Sequence, residues 1–268
     1  MKIITFSAIK GGVGKTTLAY NFGQWLKYQN KKVLYVDLDH QCNLTQTFDI
    51  FENSGTVADI FIFKDDVQII EIDKFLSIIP GNMRLDEVEK NISTKSNKDM
   101  LFYMWLEDHY EEMNLNKYDY ILIDTHPDFS TITKNAIVVS HSIFSPITPS
   151  EHGFSSRSNL LERFNEFKNE MIDFKTRESY ITANLYFIAN MVKHNTKSSI
   201  EFKKILHKID DVIAIFPHKE LFNNSTLEKK SISDMAVDKI FYNKHKKFFD
   251  DYHNTNLLLL NFINGKEK

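Results

Sequence analysis

Cysteine is nearly absent from the 268 residues, Cys42 being the only one. A lone thiol excludes an intramolecular disulfide and a cysteine-rich metal site, and leaves nothing to suggest an oxidising compartment. A strong charge of either sign is also lacking, the formal net charge being −3. No global field therefore draws the chain to a polyanion, and any nucleic-acid contact has to come from a local basic patch. No apolar run approaches the roughly 18 residues that suggest a membrane span. The run Leu257-Leu258-Leu259-Leu260 is far too short, which leaves ordinary helix packing or, at most, a helix lying on a membrane surface. The N-terminus enters an alternating apolar segment directly, without a signal-peptide or targeting pattern, so the cytoplasm is the expected compartment. Internal repeats and low-complexity tracts are missing as well.

What is present is ordinary globular composition, 42% hydrophobic and 26% charged, which implies a packed, water-soluble fold. The length is near the point where one core stops growing, and the expectation is one domain over residues 1–268. Short β-branched and apolar runs alternate with helical patterns, the mark of βαβ units. Strands are predicted at 3–8, 32–36, 76–79, 120–123, 142–146, 181–189 and 212–215. Helices are predicted at 16–28, 83–90, 98–113, 131–139, 153–174, 198–209 and 236–253. The fold class is α/β, a mainly parallel twisted sheet flanked by helices on both faces and closed by the helices after about 236. Segment 50–71 has weak periodicity and reads as a surface excursion over the sheet edge.

The strongest chemical signal is Lys10-Gly11-Gly12-Val13-Gly14-Lys15-Thr16-Thr17, directly after the first strand and before a good helix. Glycines let the backbone curl so that successive amides point at phosphate oxygens, and the helix N-terminus adds its partial positive charge. Lys15 is placed to reach the β- and γ-phosphates and Thr16 to bind Mg²⁺. After the second strand come Asp37 and Asp39, two acids one residue apart at a strand end, able to share the work around Mg²⁺ and an attacking water. The apolar run from Tyr120 to Ile123 delivers Asp124 at a strand's carboxyl end, where open α/β sheets keep their ligands.

The loop, with its extra leading lysine, resembles the deviant Walker A box of the ParA/MinD class. The resemblance extends through Asp37-Leu38-Asp39-His40-Gln41-Cys42-Asn43, which is similar to the ParA pattern Asp-x-Asp-x-Gln-x-Asn, and through Asp124-Thr125-His126-Pro127, where His126 stands in place of a usual proline. Weaker matches follow in order at Ile79-Pro80-Gly81-Asn82, Asn135-Ala136 and Pro146-Ile147-Thr148-Pro149. The resemblance implies a P-loop ATPase with ATP and Mg²⁺ as cofactors. Lys10 would reach across a nucleotide-sandwich homodimer to the partner's ATP, Asp39 would position the water, and Asp124 would hold the Mg²⁺ shell, through water. Asn190, Pro217 and His218 fall where the class forms its adenine pocket. For His126, sensing of the γ-phosphate and a structural role both stay open.

Within the class, one cysteine excludes the nitrogenase iron protein and disfavours the zinc-clasped targeting ATPases. The tail from Asn256 places its lysines only at the end, a poor basic amphipathic helix for a MinD-type membrane anchor. The phosphate loop begins ten residues from Met1, which leaves no room for a helix-turn-helix repressor domain. Small ParA partition proteins fit best, and they imply nonspecific DNA binding, nucleoid association and a ParB-type partner that stimulates hydrolysis. Two arginines that many relatives use on DNA are replaced by Asn195 and Leu221. Candidate substitutes are Lys193, Lys197, Lys203 and Lys204, with His194 and Lys208 nearby and Lys229, Lys230, Lys244, Lys246 and Lys247 farther on. The alternative is a MinD-like or cargo-positioning switch that acts on a protein scaffold or membrane without DNA.

Overall fold

The structure, a computed structural model, describes residues 1–64, 66–194, 196–206 and 209–265, without the side chains of Glu151, His152, Phe154, Lys197, Ser198, Lys203 and Ile205. Its strands are β1 (Lys2–Phe6), β2 (Val33–Leu38), β3 (Ile70–Glu71), β4 (Leu76–Ile79), β5 (Tyr120–Thr125), β6 (Ser142–Ile147), β7 (Asn184–Val192) and β8 (Val212–Pro217). Among the described residues they form one eight-stranded sheet in the order β3-β4-β2-β5-β1-β6-β7-β8. Every pairing is parallel except that of β3 with β4.

The helices are α1 (Lys15–Tyr28), α2 (Asn43–Thr47), α3 (Val57–Phe61), α4 (Leu85–Ile92), α5 (Leu101–His109), α6 (Thr131–Val139), α7 (Glu151–Glu170), α8 (Lys197–Leu206), α9 (Glu220–Leu227), α10 (Ile232–Met235), α11 (Lys239–Lys244) and α12 (Lys246–Ile263). Both faces of the sheet are covered, so its central strands are buried almost throughout and mostly apolar, the acids Asp37 and Asp124 near their carboxyl ends being the buried charged exceptions. On β2, Val33 and Tyr35 enter one core with Phe22 of α1, Phe222 of α9 and Phe249 of α12. Leu34, Val36 and Leu38 enter the opposite core with Phe61 of α3, Trp105 of α5 and Ala136 of α6. The period of two along the strand assigns each residue its side.

One polar residue ties the first core together. The Asn21 amide donates to the Ser225 hydroxyl (2.7 Å), its Oδ1 accepts from the Ile232 amide (2.9 Å), and its backbone carbonyl accepts from the Tyr252 hydroxyl (2.8 Å). Helices α9, α10 and α12 thus meet α1 at a single buried position.

The main strands and long helices appear where the periodicity places them, with differences that have physical causes. The strand expected at 181–189 runs instead over Asn184–Val192. The helix expected at 98–113 is a 3₁₀ turn followed by α5, ending at His109. The helix expected at 236–253 is broken at His245 into α11 and α12, and α12 continues to Ile263. Segment 50–71 does reach the sheet edge as β3, yet it also carries α3, wholly buried and begun by a reciprocal Thr56/Asp59 capping box. Five residues are too few to show a helical period, which is why α2 and α3 leave no trace in the pattern. Helix α12 packs Phe248, Phe249, Tyr252, Leu259 and Ile263 into the core. No described helix is long and apolar enough to cross a membrane.

Candidate nucleotide and metal site

Strand β1 sits between β5 and β6, so the loop that follows it opens at the carboxyl end of the sheet's centre. Gly12 (φ 71°) and Gly14 (φ 91°) adopt left-handed conformations that curl the loop onto the first turn of α1. Gly14 is also confined by a neighbour. The buried Asn190 of β7 donates through Nδ2 to the Val13 carbonyl (2.8 Å), and a Cβ on Gly14 would lie 2.5 Å from that nitrogen. No side chain caps α1, so its first amides face the cleft with their orphan donors.

Lys15 is 6% exposed. Burial lowers its pKa, while the carboxylates of Asp124, Asp39 and Asp128 pull it back up. Asp124, next to last in β5, is fully buried, and among the described residues neither of its oxygens has a hydrogen-bond partner of good geometry, the Thr16 hydroxyl being the donor beside it. Burial pushes its carboxyl up to about 8, against the Lys15 ammonium that favours the charged form. A buried polar group without partners is costly unless something else satisfies it. Two carboxylate oxygens beside the Thr16 hydroxyl are the oxygen donors a hard dication takes, so these residues fit Mg²⁺.

The two acids after β2 are differently placed. Asp37 pairs in register with Asp124, but its Oδ2 accepts from both the amide (2.8 Å) and hydroxyl (2.7 Å) of Thr45, and its Oδ1 from the Asp39 amide (3.2 Å). Burial raises its carboxyl to about 6 in spite of these donors. Its carboxylate anchors α2 beneath the cleft, whereas the sequence pattern predicts a metal role shared with Asp39. Asp39 does line the cleft, and its Oδ1 accepts from the Gln41 amide (2.9 Å) and lies 2.9 Å from His126 Nδ1. His126 is therefore in contact with the acid expected to position water.

The cleft is about 670 Å³ and is lined by Gly11, Gly12, Gly14, Lys15, Thr16 and Thr17 on one side and by Asp39 and the α2 polar residues Asn43, Gln46 and Thr47 on the other. A small adjoining cavity of about 70 Å³ brings together Asn190, Pro217 and His218, with Gly14 and Thr17 shared between the two. Lys10 is half-buried and stands outside the lining of the cleft. Val13 is buried beneath the loop. Lys193 and Lys204 are exposed, as is His194. The side chains of Lys197 and Lys203, and residues Asn195 and Lys208, lie outside the described residues. Leu221 packs partly buried against the core, and Lys229 forms an ion pair with Asp49 at the cleft. Sequence reasoning did not single out Thr45 or Gln46; Pro127, the last residue of the Asp124-Thr125-His126-Pro127 match, also lines the cleft, and a Cβ on Gly11 would touch its ring at 3.7 Å.

A family profile described as AAA domain matches residues 1–177. Soj, the sporulation initiation inhibitor protein of Bacillus subtilis, is 33% identical over 165 residues, which cover 60% of this chain and 63% of Soj. A putative plasmid partition protein from Borrelia burgdorferi, solved with AMPPNP bound, has a TM-score of 0.71 at 25% identity, covering 94% of this chain and 98% of that one. Apo McdA from a Cyanothece shares the fold with a TM-score of 0.78 at 19% identity, over 96% of this chain and 99% of that one. The profile takes in more than half of the chain, and its relatives agree with a loop built for phosphates at the centre of a parallel sheet. The chain belongs to the ParA/MinD-type ATPases of the AAA-domain family.

Proposed function

We propose that this chain acts as one domain, binds ATP with Mg²⁺ and hydrolyses it to ADP and phosphate. The observation that carries the reading is Asp124, a buried carboxylate that lacks a hydrogen-bond partner of good geometry among the described residues and faces the Thr16 hydroxyl and the buried Lys15. In this reading Thr16 and Asp124 hold the Mg²⁺, which neutralises charge on the β- and γ-phosphates. Gly11 to Thr17 cradle those phosphates through backbone amides, and Lys15 stabilises the charge that develops on the γ-phosphate. Asp39 positions the attacking water. Asp37, whose Oδ2 accepts from the Thr45 amide and hydroxyl, keeps α2 and hence the Asp39 turn in place, with Oδ1 left to support the Mg²⁺ shell. The adenine lies against Asn190, Pro217 and His218, whose cavity adjoins the loop. Titration with both nucleotides and Mg²⁺ tests this: ATP is expected to bind tighter than GTP, and equal affinities remove the adenine pocket while leaving the phosphate loop.

At the level of the cell, the ATP-bound form is a sandwich homodimer in which Lys10 serves the partner's nucleotide. Its position outside the cleft of its own protomer supports that role. The dimer binds DNA without sequence preference through lysines that include Lys193 and Lys204. It drives plasmid or chromosome partition in the cytoplasm, on the nucleoid, with a ParB-type partner that stimulates hydrolysis and releases it. The likeness to Soj and to a partition protein supports this reading.

A further inference from the structure

Two histidines are left without a task in that scheme. His40 stands between Asp39 and Gln41 after β2, and His126 lies two residues beyond Asp124, after β5. The fold brings their ring centroids to 4.0 Å with the planes 34° apart. His126 Nδ1 is 2.9 Å from Asp39 Oδ1. Among the described residues, Asp39, His40 and His126 each offer one ligand atom, and these atoms lie within 4.8 Å of one another. Both rings are half-exposed, so an ion can reach them from solvent, while Asp39 is buried and held by the Gln41 amide.

We infer that Asp39, His40 and His126 form a binding site for a transition-metal dication of the zinc type, separate from the Mg²⁺ position at Thr16 and Asp124. The donor set decides the class: two imidazole nitrogens and one carboxylate suit Zn²⁺ or Co²⁺, whereas Mg²⁺ takes oxygens. Metal–ligand bonds of about 2.0–2.2 Å require donor atoms within about 4 Å of one another, and the existing spread closes by small rotations of two half-exposed side chains. The 2.9 Å separation of Nδ1 and Oδ1 already suits neighbouring ligands on one ion. Binding moves the His126 proton to Nε2 and replaces its hydrogen bond to Asp39 with two metal bonds. Three protein ligands would leave a fourth position for water. An ion there takes up the Asp39 carboxylate and withdraws it from the attacking water, so hydrolysis slows. That consequence rests on the proposed role of Asp39; the binding itself does not.

The test titrates the nucleotide-free full-length protein with Co²⁺, read by its visible absorption, and then with Zn²⁺ in competition. Wild type takes up one equivalent. His40→Ala and His126→Ala, at half-exposed positions, keep the wild-type melting temperature within a few degrees and each weaken binding at least tenfold. Asp124→Asn binds as wild type does. Wild-type affinity in both histidine variants overturns the site, as does loss of binding in Asp124→Asn, which would place the ion at the Mg²⁺ position. Phosphate release from Mg·ATP is measured in parallel, where Zn²⁺ inhibits wild type and inhibits His40→Ala at least tenfold less effectively. Tight binding that leaves hydrolysis untouched upholds the site and overturns the water-positioning role of Asp39.

Discussion

At the scale of single residues, Asp124 carries the sharpest thermodynamic signature. Its folded pKa of about 8 stands above the ordinary carboxylate value of 3.8, with burial and the charges of Asp37 and Asp39 raising it and Lys15 opposing them. Between those two values the folded state holds a proton that the unfolded state has lost. The stability of the nucleotide-free protein therefore falls as pH rises through that window and levels off above about 8. Asp37, raised to about 6, adds a slope of the same sign over the lower part of the window. Melting temperatures from pH 5 to 9 check this, and Asp124→Asn is expected to flatten the upper part of the curve. An unchanged curve in that variant would show that Asp124 already carries its charge in the folded protein.

Lys10 and Asp39 separate two steps of the cycle. Lys10→Ala should still bind ATP through Lys15 and the loop amides, yet remain a monomer and fail to hydrolyse. Asp39→Ala should bind ATP and accumulate as a long-lived dimer, with hydrolysis slower by roughly 10² or more. Light scattering with ATP, alongside phosphate release, reads both, and a Lys10→Ala protein that behaves as wild type sinks the sandwich mechanism. The residues of the loop and the acids at the strand ends were legible because their chemistry is local in sequence. The commitment of Asp37 to Thr45 was not, since it depends on a five-residue helix that no periodicity announces. Nor was the meeting of His40 with His126, which needs the register of β2 on β5.

At the scale of elements, Gly23 shows how packing overrides propensity. It lies inside α1, where alanine would ordinarily stabilise the helix by about 1 kcal/mol. A Cβ there would collide with the buried Tyr35 hydroxyl, which donates to the Tyr20 carbonyl (2.8 Å). Overpacking of this kind costs about 1–3 kcal/mol. Gly23→Ala is accordingly expected to destabilise the protein by up to about 2 kcal/mol in urea denaturation, the overpacking outweighing the helix propensity. A stabilised variant would mean that Tyr35 moves aside freely. Short, nearly continuous apolar runs revealed the strands, because both faces of this sheet are buried. The ends of α5 and the break before α12 stayed hidden, because they depend on contacts between elements rather than on breakers along the chain.

At the scale of the whole molecule, the chain's small net charge means that DNA binding, where it occurs, comes from one face. With ATP present, affinity for DNA of unrelated sequences is expected to be alike and to fall steeply with salt, since lysine–phosphate contacts act by releasing counterions. Neutralising the exposed Lys193 and Lys204 together should weaken binding and flatten the salt slope by about 0.9 for each phosphate that is no longer neutralised. Unchanged binding would move the interface to another face, and no ATP-dependent binding at low salt would favour the scaffold-acting switch. Asn21 has a further bearing on how such a molecule responds to its ligand. It lies on the second turn of the helix that starts at the phosphate loop, and it gathers α9, α10 and α12 through three hydrogen bonds. Local opening of those helices has to break bonds that also define α1, so the last part of the chain and the phosphate loop behave as one cooperative unit. Rigidity gained at the loop is expected to be felt some 230 residues away in sequence, at Tyr252, through the bond its hydroxyl donates to the Asn21 carbonyl.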